Sequence, residues 1–367
     1  MRICYIADAA NIHTRKWVNY FALKGHEIRL ISPRTGEGYS KNVRLYLLTT
    51  LLPQIQLISG YVNTLVWIVQ TRRLMRKIKP DIIDAHYVTL YGYLGVASGF
   101  HPVILTAWGS DILITPKQSW IHRLLTRYAL KKADMVICDS ETMKRELLEL
   151  STDPTKIRLV YNGIDTQRFN PRRVQGFRSR AGIPDNVPVV ISTRSLRPVY
   201  NVEMLIKAIP LVLREKPETR FLIIGDGEQK EQLSKLAGSL GVSNNIQFLG
   251  WAAHDDIPDY LSAADVYVST SLSDSTSLSL QEAMACELAP VVTDLPANRE
   301  WVKNGENGWL VPVNDVEAFA NKIIHLLKNE NLRKQFGKAG RTIIEQRAEY
   351  EKEMSKMEGL YRQMVKK

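Results

Sequence analysis

Between Ser273 and Leu288 the chain reads Ser-Asp-Ser-Thr-Ser-Leu-Ser-Leu-Gln-Glu-Ala-Met-Ala-Cys-Glu-Leu, and two carboxylates, Asp274 and Glu282, bracket its hydroxyl-rich start. The segment before it, Asp265 to Ser269, is rich in Val and Tyr and reads as a buried strand, whereas Leu278 to Leu288 has helical spacing. Asp274 is therefore expected in a strand-to-helix loop and Glu282 in the early turns of the helix. Such a loop lies at the carboxyl edge of a parallel sheet, where open α/β folds bind ligands, and the helix start presents free backbone N–H groups to an anion. A sugar joined to a nucleoside diphosphate needs these parts: carboxylates to accept hydroxyl hydrogen bonds and amides for phosphate. In isolation the same pattern also describes an ordinary helix N-terminus with a solvated Asp and a Glu that caps or pairs.

The segment resembles the Glu-x7-Glu element of retaining glycosyltransferases with two Rossmann-like domains, the GT-B architecture of family 4 (glycosyl transferases group 1), with Asp274 where the first Glu usually stands. The resemblance implies Glu282 on the ribose hydroxyls and Asp274 on the hydroxyls of the transferred sugar. It puts the backbone of Ser275, Thr276, Ser277 and Leu278 beside sugar and diphosphate. Asp is one methylene shorter than Glu, a departure that bears on the identity of the sugar more than on the reaction class. Asn162-Gly163-Ile164-Asp165 followed by Phe169 resembles the family's passage from first to second domain. Leu222 to Gly227, Leu249-Gly250, and Asn304-Gly305-Glu306-Asn307-Gly308 with Leu310-Val311 fall where its later strand ends and turns belong. Gly225-Asp226-Gly227 is only a Gly-x-Gly, with Lys230 at the third glycine's place, so order and spacing carry the signal. Gly225 and Trp251 join the donor-side candidates.

A departing nucleotide gathers negative charge and needs cations. The sequence contains no Asp-x-Asp to hold a metal for that purpose, so no metal or other cofactor is expected and arginine or lysine must serve. Family members carry Arg and, five residues on, Lys after the first strand of the second domain; those positions are Ser195 and Tyr200 here. Arg194, flanking the Arg position, is the expected main phosphate ligand, with Arg197 second and Tyr200 a phenol donor; Arg197 read alone is also an ordinary solvated loop cation. In the first domain Asp81 to His86 resembles the strand-end element whose His86 faces the donor sugar, although a histidine there also serves as a structural residue. Thr106-Ala107-Trp108-Gly109-Ser110-Asp111 resembles a second such element, with Trp108 where many relatives have His. The first loop, Asp8 to Trp17, lacks the glycine pair of relatives. His13, Arg15 and Lys16, with Gly109 and Asp111, are candidates for a phosphate or acceptor loop, and Arg15 and Lys16 equally suit the exposed face of a first helix.

At 367 residues and 45% hydrophobic, the chain has room for two domains with separate cores. Short Val/Ile-rich runs alternate with helical patterns in both halves, which predicts α/β architecture: two Rossmann-like, doubly wound parallel-sheet domains facing across a cleft. The expected division is 1–170, joined by a closing helix at about 348–367, and 171–347, with a polar, basic hinge at 166–180. The longest hydrophobic stretch, Thr49 to Gln70, is interrupted by Pro53, Gln54, Gln56, Gly60 and Asn63, which excludes a spanning helix. A chain that starts on a strand is expected to have no signal peptide ahead of the fold. Cys4, Cys138 and Cys286 are scattered through apolar segments without metal-ligand spacing, as in a reduced cytosolic protein.

The net charge is +11, and residues 1–170 hold 23 Lys+Arg against 13 Asp+Glu, so almost the whole surplus lies in the first half. Arg72, Arg73, Arg76, Lys77 and Lys79 follow an amphipathic pattern containing Tyr61, Leu65, Trp67 and Val69. Such a basic amphipathic face suits anionic lipid headgroups, ordinary solubility charge being the alternative. No aromatic-basic motif for nucleic acid accompanies it. These readings converge on a metal-independent, retaining glycosyltransferase at the cytoplasmic membrane surface. It takes a nucleoside-diphosphate sugar, UDP favoured and GDP next, to a lipid-linked or phosphorylated acceptor in glycan or glycolipid synthesis. A nucleotide-sugar epimerase of the same fold or a non-catalytic sugar-nucleotide-binding subunit are the alternatives. A dinucleotide oxidoreductase is disfavoured because no Gly-x-Gly-x-x-Gly follows the first strand.

Overall fold

The computed structural model describes residues 1–51, 57–172 and 176–366, with the backbone alone for 57–61. Pro53, Gln54, Gln56, the Tyr61 side chain and residues 173–175 of the basic stretch lie outside it. The chain divides into two compact units, Met1–Tyr161 with Met354–Lys367, and Asn162–Glu353.

The first unit is a seven-stranded sheet of β1 (Arg2–Ile6), β2 (Glu27–Ser32), β3 (Val43–Leu47), β4 (Ile82–His86), β5 (Val103–Thr106), β6 (Met135–Cys138) and β7 (Ile157–Leu159), in the order β3-β2-β1-β4-β5-β6-β7. The second is a six-stranded sheet of β8 (Val189–Ser192), β9 (Arg220–Ile224), β10 (Ile246–Gly250), β11 (Val266–Ser269), β12 (Ala289–Thr293) and β13 (Trp309–Val311), in the order β10-β9-β8-β11-β12-β13. Every neighbouring pair is parallel. The sequence explains why: the central strands are unbroken apolar runs such as Val103–Thr106 and Val189–Ser192, buried throughout, as strands covered on both faces must be. Strand order reverses between β1 and β4 in one unit and between β8 and β11 in the other, and these switch points open a crevice beyond the strand carboxyl ends.

Two strands escape the sequence reading, and both are sheet edges. β3 is Val-Arg-Leu-Tyr-Leu, half-exposed along its length, and β13 is three residues that follow the Asn304–Gly308 turn. A short, half-solvated edge carries no continuous hydrophobic run. Trp67, counted in the amphipathic pattern that precedes the basic run from Arg72, is a second point on which packing decides. It is buried in the first unit's core, and its indole N–H donates to the Thr49 carbonyl at 3.2 Å.

The run after Arg347 forms the helix Tyr350–Val365, whose residues from Met354 onward belong to the first unit. It is tied there through Tyr361, whose hydroxyl donates to Asp84 Oδ2 at 2.5 Å and lies 3.0 Å from that of Tyr5. Cys4, Cys138 and Cys286 are all buried and outside any disulfide.

Candidate active site

At the second unit's switch point, β8 leads into Thr193 and Arg194, and β11 runs on through Thr270 and Ser271 into the loop that carries Asp274. Arg194 is buried and folds across to that loop. Its Nη2 donates to Asp274 Oδ2 at 2.6 Å, and its Nη1 donates to Ser277 Oγ at 3.1 Å and Ser279 Oγ at 2.9 Å. The Tyr200 ring stacks on the guanidinium, 4.1 Å from Cζ to centroid, and Tyr267 in β11 donates its hydroxyl to Ser279 Oγ at 2.9 Å. Burial pulls the Arg194 pKa down, but the Asp274 carboxylate together with Tyr267 and Tyr200 outweighs it, so the net shift is upward and the cation is secured. Burial likewise raises the Tyr267 phenol, keeping it a neutral donor.

Ser277 caps the helix Leu278–Ala285, accepting from the Leu280 N–H at 3.4 Å. The first N–H groups of a helix have no intrahelical acceptor. Cap, carboxylate and arginine thus converge on a helix start at a switch point, the setting that attracts phosphate. Thr276 accepts from Gln281 Nε2 at 2.8 Å, which ties the loop to its own helix. Ser275 and Leu278 are half-buried beside it.

Glu282, one turn into the helix, is mostly buried, and its Oε1 lies 2.7 Å from His254 Nε2. His254 sits in the loop after β10 against the Phe169 ring, 5.4 Å between centroids. Trp251, at the start of that loop, is 77% exposed. Arg197 has an exposed side chain on the loop after Arg194, and that loop is pinned by Thr270, whose hydroxyl donates to the carbonyls of Tyr200 and Asn201. Gly225 and Gly227 serve packing. A Cβ on Gly225 would meet the Arg194 carbonyl oxygen at 2.3 Å, and one on Gly227 the Leu196 carbonyl oxygen at 2.3 Å. The glycines let the β9 loop lie flat on the backbone that carries Arg194.

In the first unit, His86 ends β4 in a cage of Tyr5, Trp17 and Trp108, with ring centroids 5.2 to 5.4 Å away. It is buried, and Nε2 lies 3.6 Å from Asp84 Oδ2. Asp84 accepts from Thr106 Oγ1 at 2.7 Å and from Tyr361. Burial and the Asp84 carboxylate push the Tyr361 phenol well above its ordinary range, so it remains a donor. His13 packs its ring 5.2 Å from that of Trp108, and Asn11 caps the helix Ile12–Leu23 that carries His13, Arg15 and Lys16. Arg15 lies beside the Glu37–Gly38 loop. Asp111 is turned inward: its carboxylate accepts the N–H groups of Val88 (2.7 Å), Trp108 (3.1 Å) and Gly109 (2.9 Å). Burial pushes its pKa up to about 6 against those donors. Asp111 therefore clamps the loops after β4 and β5 together and is not presented to a ligand, while Gly109, at φ +123°, makes the turn from β5 into the short helix Ser110–Leu113.

The structure brings Arg194, Asp274, Ser277 and Tyr200 into one contact group and sets Glu282 on the same helix. Sequence reasoning did not select Ser279, Tyr267 and His254, which hold Arg194 and Glu282, or Asp84, Tyr361 and Trp17 around His86. A signal existed for two of them, since Asp84 and Tyr267 put a polar group inside an otherwise apolar strand. Among the described residues no group of three or more His, Cys, Asp or Glu is placed to hold a metal ion, and no helix is long and apolar enough to cross a membrane.

Comparison with known proteins finds two family matches. Residues 175–343 match the profile "Glycosyl transferases group 1" and residues 2–140 match "Glycosyl transferase 4-like". The chain is 26% identical over 286 residues to the N-acetyl-alpha-D-glucosaminyl L-malate synthase of Bacillus anthracis, covering 77% of this chain and 74% of that protein. It is 28% identical over 321 residues to the UDP-Gal:alpha-D-GlcNAc-diphosphoundecaprenol alpha-1,3-galactosyltransferase of Escherichia coli, covering 83% and 81%. Among solved structures it superposes on Anabaena Alr3699/HepE in complex with UDP with a TM-score of 0.81 at 18% identity, covering 98% of this chain and 99% of that one.

Proposed function

The chain belongs to the group 1 glycosyl transferases and has their GT-B class of fold, and from that premise we propose that it is a retaining, metal-independent enzyme using a nucleoside-diphosphate sugar. The acceptor is a hydroxyl of a membrane-associated, lipid-linked or phosphorylated molecule, reached from the cytoplasmic face. UDP is the favoured nucleotide, with GDP next. The Escherichia coli relative is named for a UDP-linked sugar and a diphosphoundecaprenol acceptor, and the Anabaena neighbour is described with UDP bound.

One observation carries the reading: a buried arginine–carboxylate pair joined to a capped helix start at the second unit's switch point. Glu282, held by His254, takes the ribose hydroxyls, and Asp274, held by Arg194, takes hydroxyls of the sugar. Three of the five N–H groups of Arg194 go to Asp274, Ser277 and Ser279, so its part is to fix the loop and supply positive charge behind it. Exposed Arg197 and the helix-start amides meet the diphosphate, with Tyr200 closing over Arg194. His86, and the loop with His13, Arg15 and Lys16, are the first unit's candidates. In the reaction the bond between the anomeric carbon and the diphosphate oxygen breaks, the acceptor oxygen bonds on the same face, and its proton passes to the departing phosphate. Charge stabilisation of that phosphate is where the cations act.

Incubation with UDP-, GDP- and ADP-sugars tests this. An enzyme releases free nucleotide slowly even without acceptor, and NMR of a product reports an unchanged anomeric configuration. Binding without release from any donor would identify a sugar-nucleotide-binding subunit instead.

A further inference from the structure

Five of the fourteen exposed large apolar side chains described in the first unit lie on the one helix Trp120–Lys132. Trp120 is 72% exposed, Leu124 54% and Tyr128 52%, with Ile121 and Leu125 exposed beside them. Positions 120, 124 and 128, and 121 and 125, repeat at helical spacing and form one outward stripe. The helix already has an inward face, on which Thr126, Ala129 and Leu130 are buried, so the outward stripe adds nothing to its packing. An exposed apolar patch of this kind marks an interaction surface.

Its charge specifies the partner. Between Trp120 and Lys132 there is no Asp or Glu, while Arg123, Arg127, Lys131 and Lys132 are all exposed. The helix Leu57–Ile78, with Arg73, Arg76 and Lys77 exposed, packs on the same short helix Tyr91–Ala97 as does Trp120–Lys132, so both lie over one side of the sheet. Trp67, counted in the amphipathic pattern that precedes Arg72, is buried, whereas in the first unit the indole of Trp120 is exposed.

We propose that the outward stripe of the helix Trp120–Lys132 docks on an anionic lipid bilayer, with Trp120, Leu124 and Tyr128 in the boundary between headgroups and acyl chains and the four cations on lipid phosphates. This deepens the membrane-held acceptor of the proposed function and rests on that reading for its purpose.

The test is co-sedimentation of the full chain with phosphatidylcholine vesicles, with and without phosphatidylglycerol, and a UDP titration run in parallel. Wild type binds only the anionic vesicles, and binding fades as the Debye length falls from about 10 Å at 0.1 M salt to about 3 Å at 1 M. Trp120→Ser, Leu124→Ser and Tyr128→Ser combined lower partitioning at least roughly tenfold. Changing Arg123, Arg127, Lys131 and Lys132 together to Gln lowers it by on the order of 10³. Trp120→Phe retains binding, and it abolishes most of the blue shift in tryptophan emission that binding produces. Equal binding by wild type and the serine variant, or no binding of wild type to anionic vesicles, overturns the proposal. So does a concentration-dependent dimer that the serine variant abolishes without any vesicle binding, which would assign the face to a second copy. UDP binding with no vesicle binding removes this surface alone, and vesicle binding with no nucleotide binding removes the transfer reading alone.

Discussion

Replacing Asp274 by Asn leaves the size of the side chain almost unchanged and removes the charge that balances Arg194. The two side chains are 9% and 14% exposed and 2.6 Å apart, so this is an ion pair largely out of water. Removing one member of such a pair leaves an uncompensated buried charge and costs about 3 to 5 kcal/mol. The Ser277 and Ser279 hydroxyls still accept from Arg194 and hold the loss toward the lower figure. For a unit of this size about 3 kcal/mol corresponds to a melting shift of roughly 6 to 12 °C. Arg194→Met alone should cost a similar amount, and the double variant should cost less than the sum by at least about 1 kcal/mol, because neither charge is then stranded. Calorimetric unfolding of the four proteins gives the coupling, and turnover of a donor sugar measured well below the melting point separates stability from chemistry. Turnover of Asp274→Asn should still fall by on the order of 10² through lost transition-state contacts. Additive single losses of under about 1 kcal/mol with near wild-type turnover would refute both the pairing and the role.

Glu282→Ala should weaken UDP binding more than it slows turnover at saturating donor, and His254→Ala should reproduce part of that loss, both read by isothermal titration; unchanged affinity in both variants removes the ribose assignment. Arg194→Ala should cost roughly 2 to 4 kcal/mol of transition-state stabilisation and Arg197→Ala should weaken nucleotide affinity, whereas chelators should leave transfer intact; activity abolished by EDTA and restored by Mg²⁺ or Mn²⁺ would contradict the assignment of phosphate charge to arginine. Tyr361→Phe removes the donor to buried Asp84 and should lower stability by about 1 to 3 kcal/mol in urea unfolding; an unchanged midpoint would show that the closing helix is not held by this bond.

The carboxyl-edge loop was legible because its signals are local. A Val/Tyr strand, a hydroxyl-rich turn and a helical run lie within about thirty residues, and Asp274 and Glu282 fall in the loop and helix where that pattern puts them. The central parallel strands were legible for the same reason, each being its own apolar run. What failed needed partners far along the chain. Arg194 and Asp274 are 80 residues apart and Asp84 and Tyr361 are 277 apart, so no window of sequence joins them. Arg194 was selected as a phosphate ligand from its place at a strand end, but its orientation toward Asp274 follows from the fold of β8 against β11. Asp111 shows the same limit: acidic and two residues after a turn glycine, it resembles a ligand-binding residue until three backbone amides are seen to surround it. Trp67 and Trp120 sit in similar amphipathic surroundings, and only packing decides that one is core and the other surface.

The central claim, that the second unit's switch point holds a nucleotide-sugar, is tested most directly by the melting temperature of the full chain with UDP-, GDP- and ADP-sugars. A donor at a hundredfold its dissociation constant stabilises by about 2.7 kcal/mol, a shift of several degrees. The account predicts that shift with UDP-sugars first, reduced in Glu282→Ala and in Arg197→Ala. No shift with any of the nucleotides, or one that both variants leave unchanged, would contradict it.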